Sequence, residues 1–210
     1  MTTPATYEQN VFINCPFDEK YKPLFQAIVF TVQVCRFIPR CALETMDASH
    51  IRLEKIMAII EECKYGIHDI SVKAARHNMP LELGIFVGCR QYGKAHHRLK
   101  QYMVLEGKKH SSKVYLSDLS GQDYMAYNNK VPEVIGCVRN WLADKVSETV
   151  FIPHAPFLCT EYEAFRRDLP GLCAIRKWSA ESLSFKELLS LSTPWINART
   201  ELSRIDPSQD

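Results

Sequence analysis

Short apolar runs alternate with stretches of helical spacing along the first half of the chain. "NVFIN" (10–14) stops at "CPFDE", which reads as a buried strand followed by a loop. From Tyr21 to Cys35 apolar positions fall at Leu24, Ile28, Val32 and Cys35, with Thr31 beside them, the spacing of one helix face. Pro23 fits such a helix only in its first turn. "FIPRCAL" (37–43) is a second strand, and Pro39 argues for an edge position. "ETMDAS" is a polar loop, and residues 51 to 64 return to helical spacing with Leu53, Ile56, Ile60 and Cys63. "YGIHDIS" (65–71) is a third strand ending in polar residues, and residues 72 to 78 form a basic, polar loop. A helix is expected from about Met79 to Gln91, then a fourth strand at "QYMVLEG" (101–107).

That order of strands and helices predicts right-handed crossovers and an α/β fold. The expected architecture is a doubly wound, flavodoxin-like, mostly parallel sheet of four to five strands, with a helical C-terminal extension. A short fifth strand fits within "KVYLSDLSGQDYMAYNN", and "VPEVIGCVRNWLADK" (131–145) reads as an amphipathic helix. Residues 146 to 158, with Pro153 and Pro156, read as an extended linker. The remainder reads as two or three short helices and a polar tail. The division is an α/β domain over 1–150 and a helical segment over 151–210, packed on it or beside it. Trp178, Phe185, Leu188, Leu189 and Trp195 recur at helical spacing there. They either dock on the sheet or form an assembly surface.

Composition adds few constraints. With 210 residues, 46% hydrophobic and 24% charged, the chain can bury an ordinary core. A formal net charge of +2 gives no electrostatic case for nucleic acid or a membrane surface as partner. The eight cysteines include no C-x-x-C pair, and His96-His97 lacks carboxylates at a ligand spacing, so no metal site is expected. Cys35, Cys63 and Cys89 lie in apolar runs, where free cysteine behaves as a small hydrophobe. Without a signal-peptide pattern or a long apolar run, a reduced, cytoplasmic protein is the expectation.

Candidate chemistry concentrates where a doubly wound sheet binds ligands, outside the carboxyl ends of the strands at the switch point of their order. In a 2-1-3-4 order that point lies between the first and third strands. The loop Asn14-Cys15-Pro16-Phe17-Asp18, the strand end His68-Asp69-Ile70-Ser71 and the helix carrying Glu82 would then share one crevice. With Asn78 as N-cap, Glu82 falls in or just beyond the first helical turn. The helix start favours its ionised form, and burial opposes it. A carboxylate held in an apolar crevice can stabilise, or attack, an anomeric carbon as a glycosidic bond breaks. A surface Glu that caps its helix or pairs with a cation is the alternative. Asp69 accepts ribose hydroxyls or holds a turn. His68 is a general acid or a core histidine. Asn14 and Cys15 position a ligand or simply end a strand, and nothing visibly activates Cys15 as a nucleophile.

"VFINCPF", "KIMAIIEECKYGIHDIS" and "NMPLELG" together resemble the nucleoside 2-deoxyribosyltransferase-like superfamily, which includes Toll/interleukin-receptor-like (TIR-like) bacterial proteins. Its recurrent pattern, a strand ending in Asp-hydrophobic-Ser and a helix beginning Glu-Leu-Gly, matches Asp69-Ile70-Ser71 and Glu82-Leu83-Gly84, within about residues 10 to 107. The stretch "YLSDLSGQDYMAY…VRNWL" also resembles uncharacterised bacterial proteins with the same N-terminal pattern. The resemblance implies that Glu82 carries the reaction, and that Asp69 and the Asn14–Phe17 loop contact a nucleoside. It extends the candidate ligand-binding set to Asn14, Cys15, Pro16, Phe17, His68, Ser71, Asn78, Asp123 and Asn128, with Asn129 beside the last. Deoxyribosyltransferases place an Asp and a Gly-Thr pair shortly before the Glu; here the stretch is "RHNMPLE", which bears against deoxyribosyl transfer itself.

The implied function is N-glycosidic cleavage or transfer on NAD, a nucleotide or a nucleoside, in bacterial antiviral defence, with a homo-oligomer plausible. NAD or the nucleotide is the substrate, and no cofactor is expected. The alternatives are a non-catalytic nucleotide sensor and a TIR-like assembly module.

Overall fold

The computed structural model describes residues 6–44, 51–71, 78–109 and 123–205, with side chains to residue 200. Five strands form one all-parallel sheet: β1 (Asn10–Asn14), β2 (Ile38–Arg40), β3 (Tyr65–Asp69), β4 (Gln101–Glu106) and β5 (Tyr124–Ala126). Their order is β2-β1-β3-β4-β5. The switch of direction therefore falls between β1 and β3, where Asn14 stands beside His68. Pro39 sits on the edge strand, as its missing N–H requires. The fold is the expected flavodoxin-like α/β architecture with C-terminal helices.

Helices α1 (Lys22–Val34), α2 (Arg52–Glu61), α3 (Asn78–Tyr92) and α4 (Val131–Ala143) cover the two faces. Pro23 lies in the first turn of α1. Period-two alternation divides the strands between the faces. Val11, Ile13, Tyr65, Ile67, Met103 and Leu105 point toward α1 and α4. Phe12 meets α2 and α3 through Ile56, Ile59, Ile60 and Phe86, and Val104 meets Leu83. Gly66 is required on this second face, because a Cβ there would come within 2.6 Å of His68 Nε2 and 3.0 Å of the Phe86 ring. Leu53, expected on the apolar face of α2, is instead exposed. The buried stripe starts one turn later at Ile56.

The C-terminal part departs from the sequence reading. Instead of a linker to residue 158 and two or three short helices, there are two long ones, α5 (Ala155–Arg176) and α6 (Phe185–Ile205). Pro156 enters the first turn of α5, and Pro170 and Pro194 lie inside α5 and α6 without ending them. Packing outweighs the lost backbone bonds: Leu158, Tyr162, Phe165 and Leu169 join Phe185, Leu188 and Ile196 in the same core as α1. Trp178, Leu189 and Trp195 lie partly buried against it. Arg139 of α4 ties down the chain before α5 by donating to the carbonyls of Ile152 and Pro153 at 2.6 and 2.7 Å. The expected polar loops after β2 and β3, and the polar tail, lie largely outside the described residues.

Candidate functional site

Outside the carboxyl ends of β1 and β3 lies a hollow of about 290 Å³. The loop after β1 supplies Asn14, Cys15, Pro16, Phe17 and Asp18 to its wall; the start of α3 supplies Asn78, Met79 and Glu82; α2 supplies Arg52. Asn14, Cys15, Pro16, Phe17, Asn78 and Glu82 of the expected set thus come together here. Phe17 and Asp18 also wall a neighbouring hollow of about 130 Å³, which Lys22 and Phe185 line as well.

Glu82 is the fifth residue of α3, one turn past the helix start, and its side chain is 7% exposed. Its flanks divide: Leu83 is buried and Leu81 is 54% exposed, so Glu82 sits at the boundary between core and hollow. Among the described residues it has no hydrogen bond or ion pair. Burial pushes its pKa up to about 7, and Arg52 across the hollow pulls the other way. A carboxyl group without a donor, in reach of solvent, and poised near neutrality has the properties of a proton-transferring or nucleophilic group.

Asn14 sets that geometry. Its amide donates to the Met79 carbonyl in the first turn of α3 at 2.8 Å, and lies 3.0 Å from His68 Nδ1. Both amide hydrogens are thereby used, which makes Nδ1 of His68 the acceptor and places the ring proton on Nε2. His68 is fully buried among Phe12, Phe86 and Tyr102. Burial, reinforced by the charge of Lys100, lowers its pKa to about 3, so the ring is neutral. It is a core histidine bonded to a side chain, and it does not line the hollow.

Asp69 lies elsewhere. Strand parity turns it to the α1 face, opposite His68. It accepts from the hydroxyls of Tyr21 and Tyr127, the latter at 2.7 Å, and from the Ser71 amide at 2.8 Å. Burial raises its pKa, and these donors oppose the rise. The hydroxyl of Ser71 is 3.4 Å from that of Tyr127. Asp69 is 0% exposed and neither it nor Ser71 lines the hollow. Asp123 is exposed just before β5, and Asn128 donates to Glu133 at the start of α4, at 2.7 Å; neither reaches the hollow. Asn129 donates to the Gly107 carbonyl at 3.3 Å. Burial raises the Cys15 thiol well above its ordinary value, leaving it protonated and unreactive.

The expected set did not contain Arg52 or Met79, and Asp18 was placed at the crevice with its loop without being given a role. Arg52 had a topological signal, since the start of the helix after β2 emerges on the same sheet edge as the loop after β1. Tyr21 and Tyr127, which seal Asp69, had none. Among the described residues no group of His, Cys, Asp and Glu could hold a metal ion, and no helix is long and apolar enough to cross a membrane. No protein-family model, no curated protein and no solved structure matches this chain.

Proposed function

We propose that the hollow beside Glu82 binds a nucleotide or nucleoside, with NAD in the candidate set, and that the chain cleaves or transfers across its N-glycosidic bond. The observation that carries this reading is Glu82 itself: a buried carboxyl group, unpartnered among the described residues, facing a ligand-sized hollow at the switch point of a parallel sheet. The resemblance of "NMPLELG" to the transferase helix points the same way.

In this mechanism the bond between the anomeric carbon and the base nitrogen breaks, and its electron pair leaves with the base. The ionised Glu82 oxygen stabilises the positive charge on the sugar carbon or bonds to it, and water or an acceptor hydroxyl then takes the sugar. Asn14 acts as a positioning residue by holding the first turn of α3. The ionised form is the reactive one, so turnover climbs with pH through about 7. Incubation with NAD, nucleosides and nucleotides, followed by chromatography, should show released base with the native chain and none with Glu82→Gln. Equal release by both removes the reading.

One observation favours a sensor instead. The loop that walls the hollow runs straight into α1, which packs in the same core as α4, α5 and α6. A ligand that shifts this loop would be felt by the C-terminal helices. Ligand recovered intact, together with a thermal shift, marks a sensor. Antiviral defence and a homo-oligomeric or TIR-like assembly rest on the resemblance alone.

A further inference from the structure

Arg52 stands apart from the other well-placed arginines. Arg40 pairs with Glu44 and Glu62, Arg199 with Glu161, and Arg139 is bound to two backbone carbonyls. Arg52 has no hydrogen bond or ion pair among the described residues, although it walls a hollow containing the carboxylates of Asp18 and Glu82. It is the one cationic side chain among the described lining residues. It also opens α2, whose N-cap, Ile51, has no side chain able to accept from the first-turn amides. The partial positive charge of that helix start therefore adds to the guanidinium. Across the hollow, Glu82 is buried and likewise makes no hydrogen bond or ion pair among the described residues. Arg52 and Glu82 share one cavity without a direct ion pair, and a ligand carrying its own anion would satisfy the arginine without displacing the carboxylate.

We propose that Arg52 reads a phosphate, so that the ligand of this hollow is a nucleoside 5′-monophosphate in preference to a bare nucleoside. This rests on the glycosyl reading of the site and narrows its substrate class. The sugar lies between the two charges, with its anomeric carbon toward Glu82 and its phosphate toward the guanidinium. A planar guanidinium takes phosphate oxygens in a two-pronged bond that a hydroxyl cannot replace. A volume of about 290 Å³ lies just below the usual span of small-molecule pockets, roughly 300–1,000 Å³, and suits one mononucleotide better than a dinucleotide. The second nucleotide of a dinucleotide would project from the mouth.

Calorimetric titration of the full chain with a panel of ribo- and deoxyribonucleosides and their 5′-monophosphates tests this, with base release followed in parallel. The monophosphates should bind about ten- to a hundredfold tighter than the parent nucleosides. Arg52→Ala should bring that ratio to about one by weakening the monophosphates far more than the nucleosides, and Arg52→Lys should restore part of it. Arg52 is exposed, so both variants should keep the native circular dichroism. A ratio near one in the native chain, a ratio that survives Arg52→Ala, or no binding by any member of the panel overturns the proposal. The two readings fail separately. Glu82-dependent base release without phosphate preference removes only the role of Arg52. An Arg52-dependent preference without base release removes only the catalysis.

Discussion

Two carboxylates lie close together at the top of this sheet, and they have opposite surroundings. Asp69, at the end of β3, is sealed on the α1 face and accepts from three donors. Glu82, one turn into α3, is on the other face and has no donor among the described residues. Burial raises the pKa of both. For Asp69 the donors answer the cost of burial, so its charge serves structure: it links the start of α1, the segment after β5 and the turn after β3. For Glu82 no hydrogen-bond donor among the described residues answers it, and only the charge of Arg52 across the hollow opposes it, so the carboxylate is available to a ligand. Burial alone does not separate a structural acid from a chemical one. The count of donors does, because an unsatisfied buried group costs free energy that only function explains.

The comparison breaks most sharply under isosteric substitution. Glu82→Gln should lower base release by at least about a thousandfold, within the range for loss of an acid–base or nucleophilic group, while the chain stays folded. Chromatographic rates together with circular dichroism check both halves. Asp69→Asn should do the reverse. It turns an acceptor facing two hydroxyls and an amide into a mixed donor and acceptor, and should destabilise by about 1–3 kcal/mol in urea titration. Calorimetric affinity at the hollow should change far less than for Arg52→Ala. Should Asp69→Asn abolish turnover without loss of stability, Asp69 belongs to the chemistry after all.

The acid at position 82 also leaves a pH signature in stability. Folded, it holds its proton to about pH 7; unfolded, it releases it near the ordinary 4.5. Its contribution is therefore fully present below 4.5 and is lost as the pH rises through 7. Glu82→Gln should raise the melting temperature at pH 8 and leave it nearly unchanged at pH 4, by differential scanning fluorimetry. Arg52 holds the Glu82 pKa down, so Arg52→Ala should move the midpoint of the pH–rate profile upward. The smallest effect is expected at Tyr127→Phe, which removes one of the donors to Asp69 and should cost about 1 kcal/mol in urea titration, with turnover unchanged.

Local pattern carried the fold a long way in this chain. Apolar runs at 10–14, 65–71 and 101–107, separated by helical spacing, were enough for a parallel α/β sheet, and the common 2-1-3-4 order taken for it is part of the order observed. Pro39 announced an edge strand, and "NMPLELG" announced a helix whose carboxylate meets a hollow at the switch point. These features depend on residues a few positions apart. Side-chain parity was equally present in "HDIS", where successive residues of one strand must face opposite ways. It already separates His68 from Asp69. The three-dimensional packing was needed for the rest: two tyrosines 48 and 58 residues from Asp69 seal it, Asn14 bonds across to Met79, and helices α5 and α6 run through Pro170 and Pro194. Each depends on partners distant in the chain. Burial against those partners is worth more than the local preference it overrides.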